Sequence, residues 1–294
     1  MRCLILGGDG MLGHQLLKSW QSKHDVCVTL RQARSQYADI GLFNPENSYD
    51  CIDVRNTDRL REVLEEFQPA AVVNAVGIIK QRTAFRESLP SLEVNSVFPH
   101  RLRLLCREIE ARMVHISTDC VFNGKRGNYS EQDPANADDL YGLSKYLGEV
   151  SEEPCLTLRT SIIGLELSRK QSLIEWFLAQ TGTIKGFTNA LYTGLTTIEM
   201  ARVIEMVVIQ YPDLHGVWQV ASEPIRKYDL LCKLTAFLER NDLSVEPDDS
   251  FRCDRRLSGK AFTQQTGYHA PSWDEMLLEL AERVKLQRIL RNAA

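Results

Sequence analysis

The chain has 294 residues, 35 Lys and Arg against 39 Asp and Glu, a formal charge of −4, and 44% hydrophobic residues. That length predicts two domains, or one large α/β unit, with enough chain to bury a core without disulfides or metals. The acidic balance speaks against a nucleic-acid binder, no run approaches the ~18 apolar residues of a membrane span, and MRCLILGG breaks into glycine too early for a secretory leader.

The first half alternates short apolar runs with amphipathic stretches. Arg2–Leu6, Val26–Leu30, Ala70–Ala75, Met113–Ser117 and Cys155–Arg159 read as buried strands, and Leu12–Trp20, Thr57–Phe67 and Pro99–Glu110 as helices. Such alternation predicts βαβ units in an α/β, doubly wound parallel sheet of the Rossmann type. The pattern changes after Gly164. Gln171–Gln180, Thr197–Gln210, Lys227–Leu238 and Trp273–Arg291 read as helices, Val217–Ala221 as a strand, and Asn241–Ser250 as a polar separator. The expected organisation is a cofactor-binding domain at 1–164, to which 190–222 returns, and a smaller α-rich substrate domain of 165–189 and 223–294.

The eight cysteines include no CxxC pair; the nearest two, Cys106 and Cys120, are 14 positions apart. Zinc ligands come in close pairs, so the scatter predicts no metal site and reduced thiols in the cytoplasm. The six histidines have no acidic or cysteine partner at ligand spacing and read as structural or exposed.

Gly7-Gly8-Asp9-Gly10-Met11-Leu12-Gly13 joins the first strand to the first helix with G-x-x-G-x-x-G spacing. Glycines let backbone approach a pyrophosphate, and the helix N-terminus offers N–H groups and a positive dipole end. Gly7, Gly10, Met11, Leu12 and Gly13 are therefore candidate dinucleotide contacts. The second strand ends at Leu30-Arg31, with Arg34 behind, where an NAD(H) site would place an acid on the ribose. Guanidinium groups there suit a 2′-phosphate, favouring NADP(H) over NAD(H); the alternative is two solvated arginines. Asp53 is a candidate adenine contact or the N-cap of the helix at Thr57. Asn74-Ala75-Val76-Gly77 ends the strand that begins at Ala70 with mostly small residues that let backbone lie along the cofactor.

Tyr141 and Lys145 stand four apart, on one face of a helix. An ammonium beside a phenol favours the phenolate, making the tyrosine a proton donor and acceptor. Thr118 ends a strand 23 residues earlier, where its hydroxyl could polarise a carbonyl.

With these motifs in order, the chain resembles the extended short-chain dehydrogenase/reductases, and within them the dTDP-4-dehydrorhamnose reductase family. The matching stretches are GGDGMLG at 7–13, HISTDCVFNG at 115–124, YGLSKYLGE at 141–149 and LRTSIIG at 158–164, with RCDRRLSGKAFTQQTGY at 252–268 similar to a late family element without its proline. The resemblance implies NADPH-dependent reduction of the C4 ketone of a nucleotide-linked 4-keto-6-deoxyhexose, serving polysaccharide or glycan synthesis. By the same resemblance Thr118, Tyr141 and Lys145 form the catalytic triad: Tyr141 protonates the C4 oxygen, Thr118 bonds it, and Lys145 holds the nicotinamide ribose and lowers the phenol pKa.

The family usually has Tyr where this chain has Cys120, so the wall near the sugar is expected to differ. Asp119-Cys120 lacks the Asp-Glu of related 4,6-dehydratases, and Arg31 argues against a 4-epimerase that retains NAD. A UDP-2-acetamido-2,6-dideoxy-4-ketohexose is an alternative substrate, and a non-catalytic NADP-binding regulatory subunit an alternative role. Candidate contacts to the nucleotide-diphosphate sugar are Lys80, Arg82, Cys120, Trp176, Arg252 and Arg255, with Arg256 in the same basic cluster, since arginine forks fit a diphosphate. Trp176 reads more readily as core, because Leu173 and Phe177 share its face. The expected partners are this sugar nucleotide and a second copy in a homodimer, with no nucleic acid and no membrane.

Overall fold

The structure is a computed structural model that describes residues 1–79, 88–168 and 170–293. These fall into two compact units, the first of residues 1–121, 135–159 and 201–218, the second of 122–134, 160–200 and 219–294. The division differs from the sequence expectation: residues 122–134, 160–164, 190–200 and 219–222 group with the second unit.

The main sheet has seven strands: β1 (Arg2–Leu6), β2 (Asp25–Thr29), β3 (Ser48–Tyr49), β4 (Ala71–Asn74), β5 (Arg112–Thr118), β6 (Cys155–Thr160) and, after three strands of the second unit, β10 (Gly216–Gln219). Their order is β3-β2-β1-β4-β5-β6-β10. The pairs β3/β2, β2/β1, β1/β4 and β4/β5 are parallel, so β1, β4 and β5 end on one edge, where a doubly wound sheet presents its ligand. The strands are short and apolar because both faces are covered. Leu4, Val72 and Met113 are fully buried, in one cluster with Val63 and Leu64 of α2 (Thr57–Phe67, which follows α1, Gly13–Trp20).

The helical stretch after β4 is composite. A short α3 (Ser88–Ser91) runs into a π-helical turn at Leu92–Val97 and on into α4 (Phe98–Glu108). Phe98 N–H reaches back five residues to Glu93 O, which defines the wider turn. The helix α5 (Leu140–Leu147) starts at Asp139, whose carboxylate accepts from Gly142 N–H at 2.8 Å.

The second unit holds β7 (Ile162–Ile163), α6 (Leu173–Leu178), β8 (Gly182–Tyr192), β9 (Leu195–Thr196), β11 (Ile225–Arg226), α8 (Lys227–Phe237), β12 (Leu243–Asp254), α9 (Lys260–Thr266) and α10 (Trp273–Ala293), while α7 (Thr197–Gln210) begins in it. Its three-stranded sheet, β11-β8-β12, is an element the sequence reading lacked. The stretch 241–250, expected as a polar separator, lies largely inside β12, which pairs parallel with β8 across a register shift between Asp248 and Arg252. As an edge strand, β12 exposes most of its residues and tolerates Pro247. No helix among the described residues is long and apolar enough to cross a membrane.

Candidate active site

The glycine turn joins β1 to α1 through backbone alone. Gly7 has φ +86°, and a Cβ on Gly13 would lie 2.0 Å from Gly7 O, so no side chain is tolerated where helix and strand touch. Gly8 N donates to Thr29 O (2.8 Å) and Gly7 N to Thr29 Oγ1 (3.2 Å), tying the turn to β2. The N-terminus of α1 has no side-chain cap bond and no acid in its first turn. It is therefore open to an anion. Met11 is half-buried and Leu12 buried beside it. Tyr37 OH donates to Asp9 Oδ2 at 3.0 Å. His14 is buried, with Nδ1 2.8 Å from Gly10 O, and desolvation lowers its pKa to about 4, so it is neutral in ordinary buffers.

Arg31 is exposed just beyond β2 and close enough to Asp53 to favour that carboxylate's charge. Arg34 is committed elsewhere: its Nε donates to Ser48 Oγ (2.9 Å) and its Nη2 to Ser48 O (2.6 Å), anchoring β3. The two arginines are thus not an equivalent pair, because Arg34 meets the strand edge before it meets solvent. Asp53 is paired with Arg55, whose Nη2 donates to Oδ2 at 2.6 Å, and this lowers its pKa to about 2. The N-cap of α2 is Asn56, which accepts from Arg59 N, so the capping alternative for Asp53 fails.

Asn74 ends β4 with its side chain used internally: Oδ1 accepts from Val76 N (3.1 Å) and Nδ2 lies 3.0 Å from His115 Nδ1. Ala75, Val76 and Gly77 follow, half-buried. Asn95, in the π-helical turn, accepts from Ile78 N and donates to Ile78 O and to Ser144 Oγ at 2.8, 2.9 and 3.1 Å. It joins the strand end to α5. Sequence reasoning missed it; its signal was a polar residue inside an apolar helical pattern, which alone means little.

The centre lies where β5 meets α5. Lys145 is 4% exposed, and its Nζ donates to Ile116 O at 2.6 Å. Burial lowers its pKa to about 8, opposed by Glu149. Thr118 Oγ1 accepts from Cys120 N (3.2 Å), donates to Asp119 Oδ1 (3.2 Å), and lies in hydrogen-bonding reach of the Tyr141 phenol. The structure thus brings Thr118 and Tyr141 together, with Lys145 Nζ held two residues back along β5 at the Ile116 carbonyl. The phenol, however, stands above its ordinary pKa rather than below: burial, then the neighbouring Cys120, raise it, and the Thr118 bond lowers it. Lys145 is not among the groups that set this shift; its Nζ is directed to the Ile116 carbonyl. His115, beneath, is fully buried and is held neutral by desolvation and by Lys145.

Cys120 is half-buried beside Tyr141. In the second unit Trp176 is 39% exposed while Phe177 is fully buried. The core seat of α6 therefore belongs to Phe177, contrary to the sequence reading, and the indole is open to stack. Arg252 is exposed on β12. Arg255 Nε donates to Phe122 O at 2.9 Å. Arg256 is turned inward by Asp254, with Nη2 2.6 Å from Oδ2. Lys80 and Arg82 lie outside the described residues.

The chain is similar to known proteins. Residues 1–169 match the model of the RmlD substrate binding domain. The chain is 29% identical to "Probable low-salt glycan biosynthesis reductase" of Haloferax volcanii, over 68% of this chain and 70% of that one. It is 28% identical to methionine adenosyltransferase 2 subunit beta of Mus musculus, over 50% of this chain and 41% of that protein. The solved dTDP-4-dehydrorhamnose reductase of Bacillus anthracis, in complex with NADP, superposes with TM-score 0.75 at 19% identity, covering 95% of this chain and 98% of that one. The match to more than half of the chain carries the conclusion: this protein belongs to the RmlD substrate binding domain family.

Proposed function

We propose that the protein reduces the C4 ketone of a nucleotide-linked 4-keto-6-deoxyhexose, with NADPH as reductant, in glycan or polysaccharide synthesis. The observation that carries this reading is the meeting of Thr118 and Tyr141, with Lys145 Nζ held at the Ile116 carbonyl, at the sheet edge that also carries the glycine turn. The Haloferax relative, named for glycan biosynthesis, and the NADP-bound neighbour support it.

The cofactor fits the residues present. The cradle at Gly7 and Gly13 admits no Cβ, and the bare N-terminus of α1 suits a pyrophosphate. Gly10, Met11 and Leu12 line the turn, and Ala75, Val76 and Gly77 the next strand end; Asp53 would meet the adenine and Arg31 a 2′-phosphate. The bound nicotinamide supplies hydride. Tyr141 then gives its proton to the C4 oxygen; a phenol held protonated by burial is in the correct state to donate. Thr118 bonds the same oxygen, and Lys145 orients the ribose while placing positive charge near the phenolate that forms. Trp176, Arg252, Arg255 and Cys120 are the proposed sugar-nucleotide contacts.

The test is NADPH oxidation against a panel of 4-ketosugar nucleotides, including a UDP-2-acetamido-2,6-dideoxy-4-ketohexose. Turnover on one member supports the reading; none on any, with tight NADPH binding, favours the alternative of a non-catalytic subunit, which the Mus musculus relative suggests. We place the protein in the cytoplasm, supported by eight free thiols. A homodimer is supported by apolar side chains on adjoining helices, Leu104 on α4 and Leu143, Tyr146 and Leu147 on α5, all above 40% exposed. Sedimentation of Leu147→Glu as a monomer, against a dimeric parent, checks this.

A further inference from the structure

One buried charged cluster in the first unit has no part in the mechanism above. Glu149, just past α5, and Arg159 on β6 form an ion pair with side chains 5% and 6% exposed. Arg159 Nε donates to Glu149 Oε1 (2.8 Å) and Nη2 to Oε2 (2.7 Å). Ser117 Oγ donates to the same Oε1 at 2.6 Å. One carboxylate therefore joins three elements: the tail of α5, strand β6 and the end of β5.

The place where it grips β5 matters. Ser117 stands between Ile116, whose carbonyl receives Lys145 Nζ, and Thr118. Side chains alternate along a strand, so Ser117 points to the face opposite Thr118. The end of β5 is held by Lys145 through its backbone and by Glu149 through Ser117. Both anchors come from α5 and its tail, so neither Thr118 nor Lys145 can shift alone. A buried ion pair seldom adds stability over an apolar pair of the same volume; what it adds is a fixed geometry. Glu149 is also the carboxylate that opposes the desolvation of Lys145, while the neighbouring His115 and Tyr141 are held neutral.

We propose that Glu149 is a positioning residue for the reduction: by holding Ser117 and Arg159 at once it sets the end of β5 against α5, and so keeps Thr118 and Lys145 in place around Tyr141. The proposal rests on the reductase reading above. The test uses the full chain with NADPH and dTDP-4-dehydrorhamnose. Glu149→Gln is expected to lower kcat by about tenfold to a hundredfold, the scale of a small misplacement of reacting groups, with the KM for NADPH nearly unchanged. Loss of the carboxylate also lets the Lys145 ammonium lose its proton more readily. The alkaline limb of the pH profile then moves to lower pH, which a merely structural loss does not cause.

Two further variants guard against a folding defect. Glu149→Gln with Arg159→Met leaves no unpaired buried cation and is expected to fold, yet to remain slow. Ser117→Ala keeps the ion pair and removes only its tie to β5, and is expected to lower kcat by a few-fold at an unchanged melting temperature. Folded variants with the parent's kcat and pH profile would overturn the proposal. No turnover of any 4-ketosugar nucleotide by the parent would instead overturn the reductase reading on which it rests.

Discussion

The glycine turn and the β5–α5 centre stand on one edge of one sheet and are made of opposite materials. The turn is backbone: positive φ at Gly7, the closest approach at Gly13, and a helix end with no side-chain cap. The centre is side chain: a threonine, a phenol and an ammonium, each held by further side chains or carbonyls. The first is therefore spoiled by adding atoms and the second by removing them. Binding of the cofactor and turnover are expected to fail separately.

The strongest break in that comparison is Tyr141→Phe. It deletes one oxygen at the centre and nothing at the turn. Turnover should fall by about 10²–10⁴-fold, the usual worth of a positioned proton donor, while NADPH binding by fluorescence titration is unchanged; a matched loss of binding would mean that the two regions are not separable. The reverse case is Gly13→Ala. Its methyl would stand 2.0 Å from Gly7 O, so turn and helix must move apart. The expected cost is about 1–3 kcal/mol of stability, read by thermal melting, together with loss of NADPH affinity.

A milder probe of the centre is pH. Lys145 has a pKa lowered to about 8 by burial. An ammonium is charged below its pKa, so activity that needs the charge is lost as pH rises through about 8. A profile of kcat/KM flat to pH 10 would remove the charged lysine from the mechanism. Smallest is the effect at the rim of the turn. Arg31→Ala should raise the KM for NADPH about tenfold, the scale of one charge-assisted bond, and leave that for NADH alone. Arg34→Ala should instead loosen β3, whose Ser48 it holds.

The main sheet was legible because burial on both faces forces continuous apolar runs; Thr57–Phe67 and Thr197–Gln210 match α2 and α7 end to end. The sheet of the second unit was hidden for the same physical reason in reverse. β12 is an exposed edge with Pro247 and a register shift, and the apolar pattern of the continuous β8 is interrupted by Gly186 and polar residues. Within the site, spacing disclosed Tyr141 and Lys145 because a helix brings i and i+4 together. It could not disclose that Arg34 turns to Ser48, that Phe177 rather than Trp176 takes the core seat, or that Asn95 bridges two elements. Those facts depend on partners distant in sequence.

The π-helical turn at Leu92–Val97 has a genetic corollary. Its function lies in how many residues it contains, and no particular codon in it spells that number. A π turn is an α-helix with one residue inserted. Deleting a single codon there would restore ordinary winding, turning α4 by about 100° relative to what precedes it. Asn95 would then lose either Ile78 or Ser144. Outside the buried Val94, Asn95 and Ser96, the segment should therefore accept substitutions but few deletions, a signature that a saturation library including in-frame indels would reveal.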